Sequence, residues 1–395
     1  TDPLVPTQIT DSNTGQIIVR ATDVEVQGYN PIPNAFGTYW TSAITTLIGG
    51  AGQRNNSGAI TVEADRVRLL DGGRLSTDVV GPLFPPFTPN EGNAGDISVT
   101  ARESLELRGT NPTLFTSAIA SGIQSSAIGE AGSIKIEAGQ LSISNGGTIT
   151  SAIAGNPVAA LAGQGTAGNI NIQATDVQVS DLIVEPFSQT PSGITVALGQ
   201  NATGQGGNIN LTANSLRVFN GGQITSSSEG NGPAGNVNLT ANTIDVQGIS
   251  QTLVNGQYLP SAITASSSTA AAAGSVNVTS GALSVRNGAQ VTVTNSGTGE
   301  AGNLTVTGGT FFLDQAGQLT ASTVNGNGGN MTLQLQNGLI MRNGSVISAT
   351  AGGTGDGGNI TINAPVIAGF ENSDIIANAF QGNGGNIQIT TQGIF

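Results

Sequence analysis

The sequence predicts an all-β fold, a parallel β-helix of about twelve coils with three short strands per coil. Three observations predict it. A seven-residue phrase, typified by Gly207-Asn208-Ile209-Asn210-Leu211-Thr212-Ala213, is written twelve times, starting at Gly15, Gly58, Gly95, Gly132, Gly168, Gly207, Gly235, Gly274, Gly302, Gly329, Gly358 and Gly385. Within each copy, apolar and polar residues alternate. Between copies, Asn-Gly corners recur at one fixed place. Self-similarity at a set period is the signature of a repeat architecture and overrides the prior that length alone would give.

Alternation of period two sends the second and fourth residues after each glycine to one face of a strand. Those positions read Ile17/Val19, Ile60/Val62, Ile134/Ile136, Ile209/Leu211, Val276/Val278 and Ile387/Ile389, and all twelve copies keep both apolar. The shortest units, 27 to 29 residues, hold three apolar pulses: in the unit at Gly207 these are Ile209/Leu211, Leu216/Val218 and Ile224. Three pulses and three corners describe one turn of a coil.

The corners between second and third pulses are Asp71-Gly72-Gly73, Asn145-Gly146-Gly147, Asn220-Gly221-Gly222, Asn287-Gly288-Ala289 and Asn343-Gly344-Ser345. Asn and Gly tolerate positive φ, so a sharp bend costs little there. An antiparallel meander is the competing reading of Asn-Gly, but equal units bury more by stacking like on like. One unit cannot fold alone: a handful of buried aliphatics at roughly 1.5–3 kcal/mol each does not match about 1–2 kcal/mol of entropy per ordered residue. The units therefore fold as a stack. At a strand spacing of about 4.8 Å, twelve turns make a rod on the order of 55 Å long.

The residue after the glycine is Asn169, Asn208, Asn236, Asn303, Asn330, Asn359 and Asn386 in seven copies. Stacked amides can bond rung to rung, as in the Asn ladders of cross-β stacks, so a structural ladder is expected rather than a row of ligands for sugar or metal. Units at Gly15, Gly95, Gly168 and Gly235 replace the tight corner by a long excursion. Each excursion returns through a similar phrase: Thr41-Ser42-Ala43-Ile44, Thr116-Ser117-Ala118-Ile119, Pro191-Ser192-Gly193-Ile194 and Pro260-Ser261-Ala262-Ile263. Long and tight corners thus alternate through the first eight coils, which places the loops on one side at roughly 9–10 Å intervals. Residues 1–14 read as a partial first coil, 15–301 as the alternating section, and 302–395 as regular tight-corner coils.

The loops carry much of the aromatic content, with Tyr39, Trp40, Phe115, Phe187 and Tyr258 as the candidate binding ridge. Either these rings lie back on the rod as a satellite core, or they form an exposed edge for carbohydrate or a cell-surface protein, since repeat proteins place insertions on their binding face.

Composition excludes several classes. Charged residues are 9% of the chain, the formal net charge is −13, and Lys135 is the single lysine. Nucleic acid and anionic lipid need a basic footprint, which is missing. Without cysteine or histidine there is no disulfide, no thiolate chemistry, no Ser-His triad and no cysteine-based zinc site. Calcium wants six to eight oxygens, and Asp356 before Gly357-Gly358 is isolated, so no cofactor or metal is expected. Asp23/Glu25 and Glu103/Glu106 are the conceivable acid/base pairs, with solvated charge as the plainer reading. No apolar run reaches the ~18 residues of a membrane span. No signal peptide opens the chain, so Thr1-Asp2-Pro3 reads as a processed product or an excerpt.

The phrase Ala-Gly-Asn-Ile/Val-x-Ile/Leu-x-Ala, followed by Leu-x-Val and Asn-Gly-Gly-x-Ile, resembles the repeat region of filamentous-haemagglutinin-like exoproteins, the secreted partners of bacterial two-partner secretion systems. Gly168 to Ala174, Gly207 to Ile224 and Gly235 to Val246 carry it, and Gly384-Gly385-Asn386-Ile387-Gln388-Ile389-Thr390-Thr391 is similar to cyanobacterial versions. The resemblance implies a right-handed parallel β-helix, export through an outer-membrane transporter, and a role in adhesion or as a surface fibre. The amino-terminal secretion domain of that family is not found here.

The expectation is a non-enzymatic, extracellular or cell-surface structural or adhesive β-helix. Two rivals accompany it. One is a β-helical polysaccharide-active enzyme, which needs acidic and basic residues clustered in one groove. The other is a filament subunit that stacks head to tail on further copies of itself, since both ends read as open strand edges.

Overall fold

The computed structural model describes residues 14–28, 41–49, 52–82, 88–111, 115–185, 188–254 and 256–395. The chain is a parallel β-helix. Twelve strands opening at the repeat glycines stack in chain order in one sheet, and eleven third-pulse strands stack in a second. We number the coils 1 to 12 by their leading glycines. Residues 1–13, and with them the expected partial first coil, lie outside the described residues.

Like residues stack on like. Ile134, Ile170, Ile209 and Val237 are partners on successive rungs, as are Leu141, Val177, Leu216 and Ile244. All eight are buried. This parallel register keeps each side chain on a column of similar ones, so a one-residue slip would turn a whole apolar set outward.

The three pulses are laid out differently from three separate strands. In coils 2 to 10 the first two run as one long strand, for example Ile60–Leu70 and Ile209–Phe219. Its burial phase changes in the middle: Ile209 and Leu211 face in, Asn214 and Ser215 both face away, then Leu216 and Val218 face in. One odd step therefore bends the strand onto a second face without breaking its ladder. The third pulse is a separate strand, such as Gln223–Ser228. In coils 2 to 5 the return segment adds a fourth short strand, Asn90–Glu91, Ala127–Glu130, Gln164–Thr166 and Thr203–Gln205, forming a small sheet of its own.

The leading glycines are not turn residues in the sense that the sequence suggests, because none of them has positive φ. A Cβ on Gly207 would lie 2.2 Å from the carbonyl oxygen of Gly168, and one on Gly235 would lie 1.8 Å from that of Gly207. Each coil's glycine is seated on the carbonyl of the glycine beneath, and no other residue leaves that space.

The tight corners have two successive residues at positive φ, such as Asn220 at 52° and Gly221 at 89°. The Gly222 amide donates to Phe219 O at 3.0 Å. This is the signature of a type I′ turn, used here to turn a parallel coil rather than to close a hairpin. The same turn occurs at Gln315-Ala316 in coil 9 and Glu371-Asn372 in coil 11, where composition gives no sign of it. Ala316, at φ 58°, carries the left-handed cost that glycine avoids. Ala316→Gly is expected to stabilise the protein by about 0.5–1 kcal/mol after glycine's entropic penalty, measurable as a higher urea midpoint at unchanged slope.

Candidate functional site

The long excursions sit on one corner of the rod. Two are antiparallel hairpins, Leu182–Glu185 with Ser188–Pro191 in coil 5, and Ile249–Val254 with Gln257–Pro260 in coil 7. They lean over the tight corners on either side. Ile183 Cβ lies 3.3 Å from where a Cβ on Gly146 would stand, Leu182 Cδ2 3.3 Å from one on Gly221, and Ile249 Cγ2 3.2 Å from one on Gly288. A hairpin is wider than one strand spacing, so it needs a bare corner on its neighbours. That is why long and tight corners alternate.

The recurrent return phrase also has a physical role. Its serine is wholly buried at Ser117, Ser192 and Ser261. Each Oγ accepts from the corner glycine of the preceding coil, Gly72, Gly146 and Gly221, at 2.9–3.0 Å. Ser192→Ala would leave the buried Gly146 amide unsatisfied, and a loss of about 1–3 kcal/mol is expected, read from chemical denaturation with Ser42→Ala as a comparison at a corner above no described coil.

Of the candidate ridge, Phe115 is 47% and Tyr258 53% exposed. They belong to coils 3 and 7, about 19 Å apart along the axis by strand spacing, and so do not form one patch. Tyr39, Trp40 and Phe187 lie outside the described residues.

The asparagine column is a ladder of backbone-to-side-chain bonds. The Asn208 amide donates to Asn169 Oδ1 at 2.7 Å and that of Asn236 to Asn208 Oδ1 at 2.8 Å. The amides of Asn330, Asn359 and Asn386 donate to Asn303, Asn330 and Asn359 at 3.2, 3.0 and 2.9 Å. Ser275 carries the series between Asn236 and Asn303. The carboxamide ladder proper stands two residues on, where Asn210, Asn238 and Asn277 donate through Nδ2 to Asn171, Asn210 and Asn238.

Charge is concentrated in the first four coils and is mostly paired across rungs. Arg66 bonds Asp23 at 2.6 Å and Glu103 at 3.0 Å, Arg68 holds Glu25 at 2.7 Å, and Arg108 holds Glu106 at 3.0 Å. The conceivable acid/base pairs are thus split between different arginines. The Arg66 guanidinium, through its hydrogen bond, holds the Asp23 carboxyl below the usual carboxylate range. Among the described residues no cluster of three Asp, Glu, His or Cys could hold a metal ion.

One spot departs from this pattern. The outward residues of the third-pulse strand in coil 2 are Arg74, Ser76 and Asp78, since Leu75, Thr77 and Val79 are wholly buried. On the rung above them stand Ala118, Ala120 and Gly122, which have almost no side chain. The result is a cleft of about 800 Å³, lined by these polar groups together with Thr45, Gln124 and the Phe115 ring. Gln124 Nε2 donates to Asp78 Oδ1 at 2.8 Å, and the Thr45 and Ser76 hydroxyls bond each other at 2.9 Å. Burial pushes the Asp78 carboxyl up, against the pull of Gln124 and Arg74, and pulls the Arg74 guanidinium down. Arg74 and Asp78 read in sequence as one more solvated strand face. Only the small residues 44 positions later in the chain make a cleft of it.

Comparison with protein-family models, with curated proteins and with solved structures finds no match for this chain.

Proposed function

We propose that the chain is a non-enzymatic structural or adhesive β-helix that works outside the cell, on a bacterial surface or in a secreted fibre. The observation that carries this reading is the continuous ladder of twelve rungs with its long insertions gathered on one corner. A rod held by register is a stiff spacer, and a corner bearing Phe115, Tyr258 and the polar cleft is an edge from which to touch a surface. The resemblance of Gly207 to Ile224 and its sister phrases to filamentous-haemagglutinin-like exoproteins supports the same reading, with an outer-membrane transporter as export partner. The test is adhesion of protein-coated beads to glycan- and protein-coated surfaces. Adhesion that falls several-fold in Phe115→Ala/Tyr258→Ala supports the reading. Beads that adhere to none of the surfaces, or turnover of a polysaccharide by the purified protein, would overturn it.

A second reading, stacking on further copies, draws on the last rung, where Ile387 is 43% and Ile389 37% exposed. Either a further coil of a longer chain or a second copy would cover these side chains. Electron microscopy at several concentrations, with mass measured alongside, separates the two: fibres longer than about 55 Å support stacking, and discrete rods reject it.

A further inference from the structure

Nine of the eleven basic residues make an ion pair with an acidic side chain. Arg217 stacks over the Phe219 ring at 5.0 Å. Among the described residues Arg74 alone has neither. The reason lies in the register. Arg20, Arg66 and Arg68 each face an acid on the neighbouring rung, Glu63, Asp23 and Glu25. Arg74 faces Ala43 below and Ala118 above. Its guanidinium is left without an acid beside a cleft, in a protein of net charge −13 where acids outnumber bases.

We propose that this cleft binds the carboxylate-bearing unit of an acidic saccharide. The proposal rests on the adhesive reading and names the ligand chemistry of one site on its edge. A free guanidinium takes a carboxylate by two parallel N–H···O bonds, the geometry for which arginine is best suited. The remaining groups in the cleft suit hydroxyls rather than a second anion. Asp78 accepts, Gln124 donates and accepts, and the Thr45–Ser76 hydroxyl pair does both. Phe115, 47% exposed at the rim, offers an apolar ring for the C–H face of a sugar. Asp78 also sets specificity: two residues from Ser76 and four from Arg74 on the same outward face, it repels a ligand that carries negative charge along its whole length at close spacing. The other third-pulse strands of coils 1 to 10 carry no charged residue, so the cleft is a single local site and not part of a basic stripe.

The experiment is calorimetric titration of the whole chain with a short oligogalacturonate, a neutral glucan oligomer of equal length, a tetraglutamate peptide and inorganic sulfate. Wild type, Arg74→Gln, Arg74→Lys and Phe115→Ala are compared, each checked for an unchanged circular-dichroism melt. Because Arg74 holds no acidic partner, Arg74→Gln is expected to fold normally. Should it not, Arg74→Lys keeps the charge while losing the two-point contact and serves in its place. The expected result is binding of the oligogalacturonate with at least a tenfold loss in Arg74→Gln, an intermediate loss in Arg74→Lys, and a severalfold loss in Phe115→Ala. The neutral oligomer, the peptide and sulfate should bind at least tenfold more weakly. Equal binding of the neutral oligomer, of the peptide or of sulfate would overturn the proposal, as would oligogalacturonate binding that Arg74→Gln leaves unchanged. If beads still adhere while Arg74→Gln changes nothing, this site fails and the adhesive reading stands. If Arg74-dependent binding is found but the rod adheres to no surface, the site stands and the adhesive reading fails.

Discussion

Gly207→Ala is expected to abolish the native fold or destabilise it by at least about 3 kcal/mol, more than any ordinary surface change. The added methyl would stand 2.2 Å from Gly168 O and 2.6 Å from Ala167 O. Both obstacles are backbone atoms, and both belong to a rung tied into the ladder above and below. Neither can move without opening neighbouring rungs, so the strain has no soft side chain to absorb it. Gly15 supplies the control. It opens the same phrase in coil 1, yet nothing lies within 4 Å of the Cβ it would gain. Gly15→Ala should therefore change stability by no more than about 0.5 kcal/mol. Denaturant midpoints for the two variants decide between the explanations: equal tolerance would mean that the leading glycine serves chain flexibility and not the close approach of coils.

Phe311→Ala carries the next largest effect, a loss of about 3–5 kcal/mol. Phe311 is wholly buried in the column of second-pulse residues, between Leu283 and Leu339 on adjacent rungs. The column cannot close over a missing ring, because the rungs on either side are held at the strand spacing by their own backbone bonds. A cavity therefore remains, and its lining loses contacts that water does not replace. Phe311→Leu restores the side-chain type of both neighbours and should cost less than about 1.5 kcal/mol. Thermal melts of the two variants test this, and a small effect of the alanine change would mean that the coil can compress along its axis.

Much of the architecture is readable in single phrases. Ile209 and Leu211 alternate with polar neighbours, and that local pattern already names a strand and its inner face. Asn220-Gly221 marks a turn because these two residue types accept positive φ at little cost. Where the same turn is built from Gln315-Ala316 or Glu371-Asn372, the local signal is missing and the corner escapes a reading by composition. The hairpins at Leu182–Glu185 and Ile249–Val254 escape it too, since short antiparallel pairs inside an excursion carry no period that the surrounding coils share.

The binding candidates are less legible, for a related reason. Phe115 and Tyr258 stand out in any sequence low in aromatic residues, and exposure on the loop corner agrees with a ridge at those two positions. Arg74 does not stand out. Its chemistry depends on what it lacks: an acid at Ala43 and at Ala118, its partners on the rungs below and above. An absence at two distant positions gives no motif. The asparagine column shows the same limit, because the series of residues is visible while the donors, backbone amides and not carboxamides, are settled only by how the rungs are staggered.

What the sequence by itself determined is the coil: the number of rungs, the inward pair on each, the place of most tight corners and the side from which the excursions leave. These follow from period-two alternation and from the stacking of like units, both of which act within one repeat and are copied twelve times. What only the tertiary structure decided is the contact between coils. The need for glycine at Gly207, the clamp of Ser192 on Gly146, the seating of Ile183 beside that same corner and the isolation of Arg74 are all set by the residue one strand spacing above or below. That neighbour lies from 27 to 46 residues away along the chain, beyond any local pattern, and it is there that the rod's stability and its candidate site are decided.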